Sequence, residues 1–328
     1  MYLKYFLSVS ISLLLGIIVV FWLRKISLKY KVLVSSGTPL IGGIAMGISF
    51  LFTCLFIFSL YKNLPREIVA ILSASIIILI AGIIDDFREL SVMIKFLLQI
   101  LATFLVVLFG VRTNIVYIGT FLNIIITFIW IIGITNAFNL LDIIDGLSGG
   151  TALIVGLAFF IITLFNADVN TAVIILSLLG AVSAFLIYNF PPAKIYMGNT
   201  GSHFLGFVLG AVALVISYAS LERKIALLSP IFILGFPIFD TLFLIFMRLG
   251  RKKLPFKKTK DHLAMRFAAL GYSRRKTLFI MLGVCLCFAS GGVLLTRVSN
   301  LIGIIIIVVS VLIILLLSKK MNNVVIDG

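Results

Sequence analysis

The sequence predicts an all-α, polytopic membrane helix bundle of about eleven transmembrane helices, with the N-terminus outside and the C-terminus in the cytoplasm. Three observations predict it. Of 328 residues, 62% are hydrophobic and 12% charged, with a mean hydropathy of +1.29, whereas a soluble domain is about half apolar. Eleven apolar runs approach or reach the roughly 17–25 residues that cross a hydrocarbon core. Finally, 20 of the 27 Lys and Arg residues fall in one alternate set of connections and 7 in the other. The Lys/Arg-rich set belongs in the cytoplasm.

The first run, Tyr5 to Leu23, follows Lys4 and has no small-residue cleavage site after it, so it reads as a retained helix. Leu40 to Leu60 and Ile68 to Ile84 come next, the second ending in an acidic pair. Phe96 to Val111 and Ile115 to Ile134 are followed by the polar stretch NAFNLLDIIDGLSGG. Thr151 to Phe165 and Ala172 to Tyr188 precede a Pro-Pro break, after which Phe204 to Tyr218 resumes. Leu227 to Phe246 leads into a basic cytoplasmic connection at 248–276, and Leu278 to Thr296 and Leu301 to Ser318 close the chain. All 328 residues form one integral-membrane domain. Cys54, Cys285 and Cys287 lie inside apolar runs without metal-ligand spacing and read as core or lipid-facing thiols. The GxxxG segments at Gly43–Gly47 and Gly206–Gly210 suit close helix packing. A net charge of +16 follows from positive-inside connections and from affinity for anionic headgroups and substrates; no basic-aromatic alternation points to nucleic acid.

The eleven acidic residues are not scattered. Asp85, Asp86, Glu89, Asp142, Asp145, Asp240 and Asp261 all fall at or near the cytoplasmic ends of the runs. Because an ionised side chain costs roughly 2.5–3.5 kcal/mol at the bilayer centre, such residues mark a site or a pathway. The adjacent Asp85 and Asp86 repel each other unless a cation or shared proton intervenes, and Lys95 falls on the same face. Asn136, Asn139, Asp142 and Asp145 recur every three residues before a glycine-rich turn, a polar helix edge followed by backbone that can approach a ligand. The GNTGS turn, Gly198 to Ser202, opens a helix whose free amides would face an anion. His203, beside it, reads as a packed or capping residue. Two histidines and no cysteine cluster argue against a zinc site. Paired carboxylates, side-chain amides and a phosphate-binding turn instead suit Mg²⁺, or Mn²⁺ in its place, holding a diphosphate.

Taken in order, TPLIGG (Thr38 to Gly43), Asp85-Asp86, NAFNLLDIIDG, MGNTGS, FPIFDT (Phe236 to Thr241) and DHLAMRF resemble the polyprenyl-phosphate N-acetylhexosamine-1-phosphate transferases, glycosyltransferase family 4. The DHxxxR pattern is similar to the branch that starts O-antigen, teichoic acid and other surface glycans, rather than to the MurNAc-pentapeptide enzymes. The resemblance implies transfer of a sugar-1-phosphate, GlcNAc-1-phosphate first among them, from a UDP-N-acetylhexosamine to undecaprenyl phosphate in a bacterial plasma membrane, with release of UMP. It further implies that Asp85 and Asp86 activate or orient the lipid phosphate and that Lys95 binds phosphate. Asn139 and Asn199 would face Mg²⁺; Asn136, Asp142, Asp145 and Gly198 would line the nucleotide pocket; His262 and Arg266 would contact the donor diphosphate and sugar. Membrane lipid and, in a homodimer, a second copy of the chain are the remaining expected partners.

The chain departs from the family pattern where Asn199 replaces the aspartate of MGDTGS, Ile143 a glycine and Met265 a frequent histidine. Losing one negative charge at Asn199 implies weaker metal binding and lower turnover. No Lys immediately precedes Gly-Thr-Pro, which leaves Lys29 or Lys31 as distant substitutes. The alternatives are a phospho-MurNAc-pentapeptide transferase, a relative that binds UDP-sugar with little or no turnover and, in a different class, an ion-coupled transporter.

Overall fold

The computed structural model describes residues 1–218, 223–250, 262–322 and 324. Long apolar helices α1 (Tyr2–Tyr30), α2 (Gly42–Leu60), α3 (Arg66–Phe87), α4 (Val92–Leu108), α5 (Gly119–Leu141), α6 (Leu147–Phe165), α7 (Val169–Asn189) and α8 (Gly198–Val215) make up the first two thirds of the chain. A 3₁₀ turn (Lys224–Leu228), α9 (Ser229–Ile233), α10 (Gly235–Gly250), α11 (Leu263–Ala269), α12 (Arg274–Leu295) and α13 (Asn300–Asn322) follow. A two-stranded hairpin, β1 (Val34–Ser35) with β2 (Thr38–Pro39), joins α1 to α2.

Nine helices among the described residues are long and apolar enough to span a bilayer. The ninth apolar run is not one straight helix: Lys224–Ile233 and Gly235–Gly250 meet at 69° across a break. The break falls where Gly235 and Pro237 interrupt the helix. The run at Phe96 becomes α4, shorter than the others at 17 residues. With these two the eleven runs are all helical. The fifth helix extends past Ile134 to Leu141, so that Asn136 and Asn139 sit on its last turns.

The centre of the bundle is α7 and α8, 78% of whose apolar windows is buried, while α13 buries 6% and faces outward. Side-chain size sets this order. Helix α8 carries Gly201 against Gly43 of α2, where a Cβ on either residue would collide with the other's backbone. Thr200 lies as close to Gly82 of α3. Small residues let backbones approach, which in lipid is a main source of helix affinity. Both GxxxG segments lie at such crossings, Gly47 on Leu79 of α3 and Gly206 on Thr135 of α5. Of the cysteines, Cys54 and Cys285 are buried and Cys287 is exposed, all as free thiols.

This packing brings the C-terminal ends of α3, α5 and α7 to the N-terminal ends of α6 and α8. The motifs singled out above occupy those ends.

Candidate active site

Asp85 and Asp86 leave the last turn of α3 in different directions. Asp85 is buried; its Oδ1 accepts the Leu90 N–H at 2.7 Å and its Oδ2 pairs with Lys95 Nζ at 2.7 Å. Asp86 turns instead to α8. Its Oδ1 accepts the Asn199 N–H at 2.7 Å, and its Oδ2 accepts the Thr200 N–H at 3.1 Å and the Thr200 hydroxyl at 2.6 Å. The repulsion expected between adjacent carboxylates is thus relieved without a shared proton. One has an ammonium as partner, the other the positive end of a helix.

The anion that the GNTGS turn holds is therefore the protein's own Asp86. Gly198 makes this possible: its φ is +68°, and any Cβ would fall on the Asp86 carboxylate. The loop before it, Pro191 to Met197, is tied from several sides. Tyr196 N–H donates to Pro39 O at 2.8 Å, Gly42 N–H to Tyr196 O at 2.9 Å, and Arg275 Nη2 to Pro191 O at 3.1 Å.

The NAFNLLDIIDG stretch divides at Leu141. Asn139, on α5, accepts the Ser202 hydroxyl at 3.0 Å through Oδ1, which links it to the first turn of α8. Asn136 faces sideways, its Nδ2 donating to Gln99 Oε1 of α4 at 2.7 Å and to Ile132 O at 2.8 Å. Asp142 ends the helix and Asp145 lies in the turn, its Oδ2 accepting the Ala193 N–H at 3.1 Å. Asn189 of α7 clamps this turn by accepting the Gly146 N–H at 2.8 Å and donating to Ile195 O at 2.9 Å. Burial, with the nearby Asp86 and Asp145 carboxylates adding to it, pushes the Asp142 carboxyl up to about 7.

Of the remaining motif residues, His262 is buried at the N-cap of α11 and Arg266 is fully buried within it. The Arg266 guanidinium donates to Met321 O at 2.6 Å and Val324 O at 3.1 Å and lies 5.4 Å from the Phe243 ring centre. It ties α11 to the C-terminal end of α13, a partner that sequence spacing did not indicate. Helix α11 buries Leu263, Ala264 and Phe267 and so packs against the protein. Asp261 and the basic residues from Arg251 to Lys260 lie outside the described residues. Asp240 of FPIFDT is buried against the backbone of Leu263.

Gln99, which was not singled out beforehand, joins the site, and His203 is packed beside it as expected. Gln99 and His203 line a small cavity between α3, α4 and α8 together with Asp85 and Lys95. The cavity offers ≈ 10 Å³, about the space of one water molecule. His203 Nε2 is buried there without a hydrogen-bond partner. Gln99 had one visible signal, being the chain's single glutamine and set in an apolar run.

Among the described residues, no three of His, Cys, Asp and Glu converge closely enough to hold a metal ion by themselves. The donors that gather are oxygens of carboxylates, amides and hydroxyls. That set fits a hard cation which takes one or two protein carboxylates and completes its shell with substrate phosphates and water. It does not fit zinc or copper.

Fold and site together define a polytopic membrane protein with a carboxylate-rich polar site at one end of its helices. The family model for glycosyl transferase family 4 matches residues 68–217, from the first residues of α3 to just past α8. The chain is 33% identical over 238 residues to a probable undecaprenyl-phosphate N-acetylglucosaminyl 1-phosphate transferase of Bacillus subtilis, covering 70% of this chain and 66% of that one. It is 32% identical over 278 residues to a decaprenyl-phosphate N-acetylglucosaminephosphotransferase of Mycolicibacterium smegmatis (74% and 68%). To a phospho-N-acetylmuramoyl-pentapeptide-transferase of Bacillus velezensis it is 30% identical over 251 residues (68% and 76%). The matches span about two thirds of the length of the first two relatives. The chain belongs to glycosyl transferase family 4. Membership sets aside the ion-coupled transporter.

Proposed function

We propose that this protein transfers a sugar-1-phosphate, GlcNAc-1-phosphate in the first instance, from a UDP-sugar to undecaprenyl phosphate. An oxygen of the lipid phosphate attacks the β-phosphorus of the donor, the bond from that phosphorus to the bridging oxygen breaks, and UMP leaves with both bonding electrons. The products are a lipid-linked sugar diphosphate and UMP. The observation that carries this reading is the division of labour between Asp85, paired with Lys95, and Asp86, fixed on the N-terminus of α8, within a chain of this family.

Phosphoryl transfer needs little covalent chemistry from the protein; positioning and charge neutralisation supply most of the rate. Lys95 would exchange its partner, leaving Asp85 for the incoming lipid phosphate, and the freed Asp85 carboxylate would orient that phosphate or take its proton. Asp142 and Asp145, on the turn clamped by Asn189, would face the uridine and ribose. Mg²⁺, when bound through Asn139, Asn199 and neighbouring carboxylate oxygen, would neutralise the diphosphate and polarise its β-phosphorus. The backbone N–H of Asn199 already supports Asp86, so its side chain is what remains for the cation. We place the site on the cytoplasmic face of a bacterial plasma membrane because the ends that carry it share their connections with the larger Lys/Arg set.

Purified protein with Mg²⁺, undecaprenyl phosphate and UDP-GlcNAc is expected to release UMP, and Asn199→Asp to raise the rate and lower the Mg²⁺ concentration required. A panel that includes UDP-MurNAc-pentapeptide separates the two branches. Absence of UMP from both forms with every UDP-sugar refutes the proposal. Binding of UDP-sugar under those conditions identifies a non-catalytic relative.

A further inference from the structure

Outside this site, a cleft of ≈ 300 Å³ opens between the ends of α1 and α7, lined by Phe21, Arg24, Lys25, Leu28 and Tyr188. The four α1 residues follow the i, i+3, i+4, i+7 spacing of a single helix face. Arg24 Nε is buried there with no hydrogen-bond partner, a donor held ready at a cost that only an acceptor offsets. Phe21 (56% exposed) and Leu28 (42%) flank the cations on a helix that buries only 22% of its apolar window. Trp22 packs edge-on to Phe21 at 5.8 Å and lies 5.6 Å from Lys25 Nζ. Aromatic rings beside Lys and Arg at a helix end mark the headgroup level of a bilayer.

We propose that this cleft binds the phosphate headgroup of an anionic glycerophospholipid, with the acyl chains running along the Phe21–Leu28 face of α1. The two cations and the unpartnered Arg24 donor select an anion, and the apolar flanks select one that is attached to lipid. The position has a consequence for the site. Tyr188 precedes Asn189, whose side chain clamps both the Gly146 turn and Ile195, and Tyr188 O accepts the Lys194 N–H at 2.7 Å. A headgroup bridging α1 and α7 would therefore brace the loop that carries the GNTGS turn.

The test uses intrinsic fluorescence. The chain has two tryptophans, so Trp130→Phe leaves Trp22 as the reporter, and the full chain is reconstituted in phosphatidylcholine vesicles with rising fractions of brominated lipid. Brominated phosphatidylglycerol is expected to quench Trp22 at several-fold lower fractions than brominated phosphatidylcholine. Arg24→Gln and Lys25→Gln should each weaken that preference by about five-fold, while Lys319→Gln with Lys320→Gln, which removes twice that charge from α13, should leave it intact. Quenching by brominated phosphatidylcholine, unchanged in every variant, reports correct insertion. Equal quenching by the two lipids overturns the proposal. So does an equal loss in the α13 variant, which would reduce the effect to general surface attraction, or displacement by trace undecaprenyl phosphate, which would assign the cleft to the acceptor. None of these readouts depends on turnover.

Discussion

The α3–α8 side of the site and the α10–α11 side hold their charges in opposite ways. On the first, carboxylates are fixed by groups a few residues from a motif or on a helix end, as with Asp86 on the amides of Asn199 and Thr200 and Asp85 on Lys95. On the second, a cation is held by main-chain acceptors, Arg266 on the carbonyls of Met321 and Val324. The difference separates a preorganised polar network, whose geometry is set before any substrate arrives, from a charged side chain that fastens two parts of the chain together.

The largest effect is expected on the first side. Asp86→Ala removes the capping carboxylate and leaves two α8 amides without an acceptor, so UMP release should fall by about 10³-fold or more, with a loss of about 1 kcal/mol in unfolding free energy. A comparable rate with Asp86→Ala would break the comparison at its strongest point. Lys95→Met comes next. It strands Asp85, which is 4% exposed, and should cost roughly 3 kcal/mol of stability. Adding Asp85→Asn in the same chain should restore part of that stability and none of the UMP release, a separation that a double-mutant cycle measures directly.

On the second side Arg266→Met should cost roughly 2 kcal/mol through lost hydrogen bonds to backbone carbonyls, with the KM for UDP-sugar little changed. A rise of ten-fold or more in that KM without loss of stability would give Arg266 a donor-binding role and bring the two sides together. The smallest effect concerns Asp142. Burial pushes its carboxyl up to about 7 in the folded protein from the ordinary 3.8, so the folded state holds the proton more tightly than the unfolded one. The resulting stabilisation is complete below pH about 4 and disappears as pH rises through about 7. Without divalent cation, melting temperature should therefore decline across that window, Asp142→Asn should flatten the decline, and Mg²⁺ should reverse it.

Much of this was legible in the residues. Hydropathy alone outlined the eleven helical runs, because in lipid each backbone polar group must be satisfied within its own helix. Asp85, Lys95, Asn139 and Gly198 stood out as scarce polar or flexible residues at the ends of apolar runs, and the fold brings them to one end of the bundle. The bend in the ninth run left no mark in the hydropathy, which registers apolar content and is blind to the turn at Leu234–Gly235. Asn136 was expected toward the nucleotide and faces Gln99, because spacing gives the side of a helix and not its neighbour. The GNTGS turn was expected to await an external anion, whereas Asp86, more than a hundred residues earlier, already occupies it.

By itself, then, the sequence determined that this chain lives in a bilayer as a helical bundle, belongs to its family, and concentrates its acids at one set of helix ends. Those properties are local: they depend on composition over some twenty residues and on short motifs. Only the tertiary structure decided which carboxylate meets Lys95 and which meets α8, that Gln99 and His203 join the site, and that Arg266 reaches α13. Such pairings depend on which helices touch and at what rotation. Small residues such as Gly43, Gly82 and Gly201 set that through close packing of α2, α3 and α8, at distances along the chain that no local pattern records.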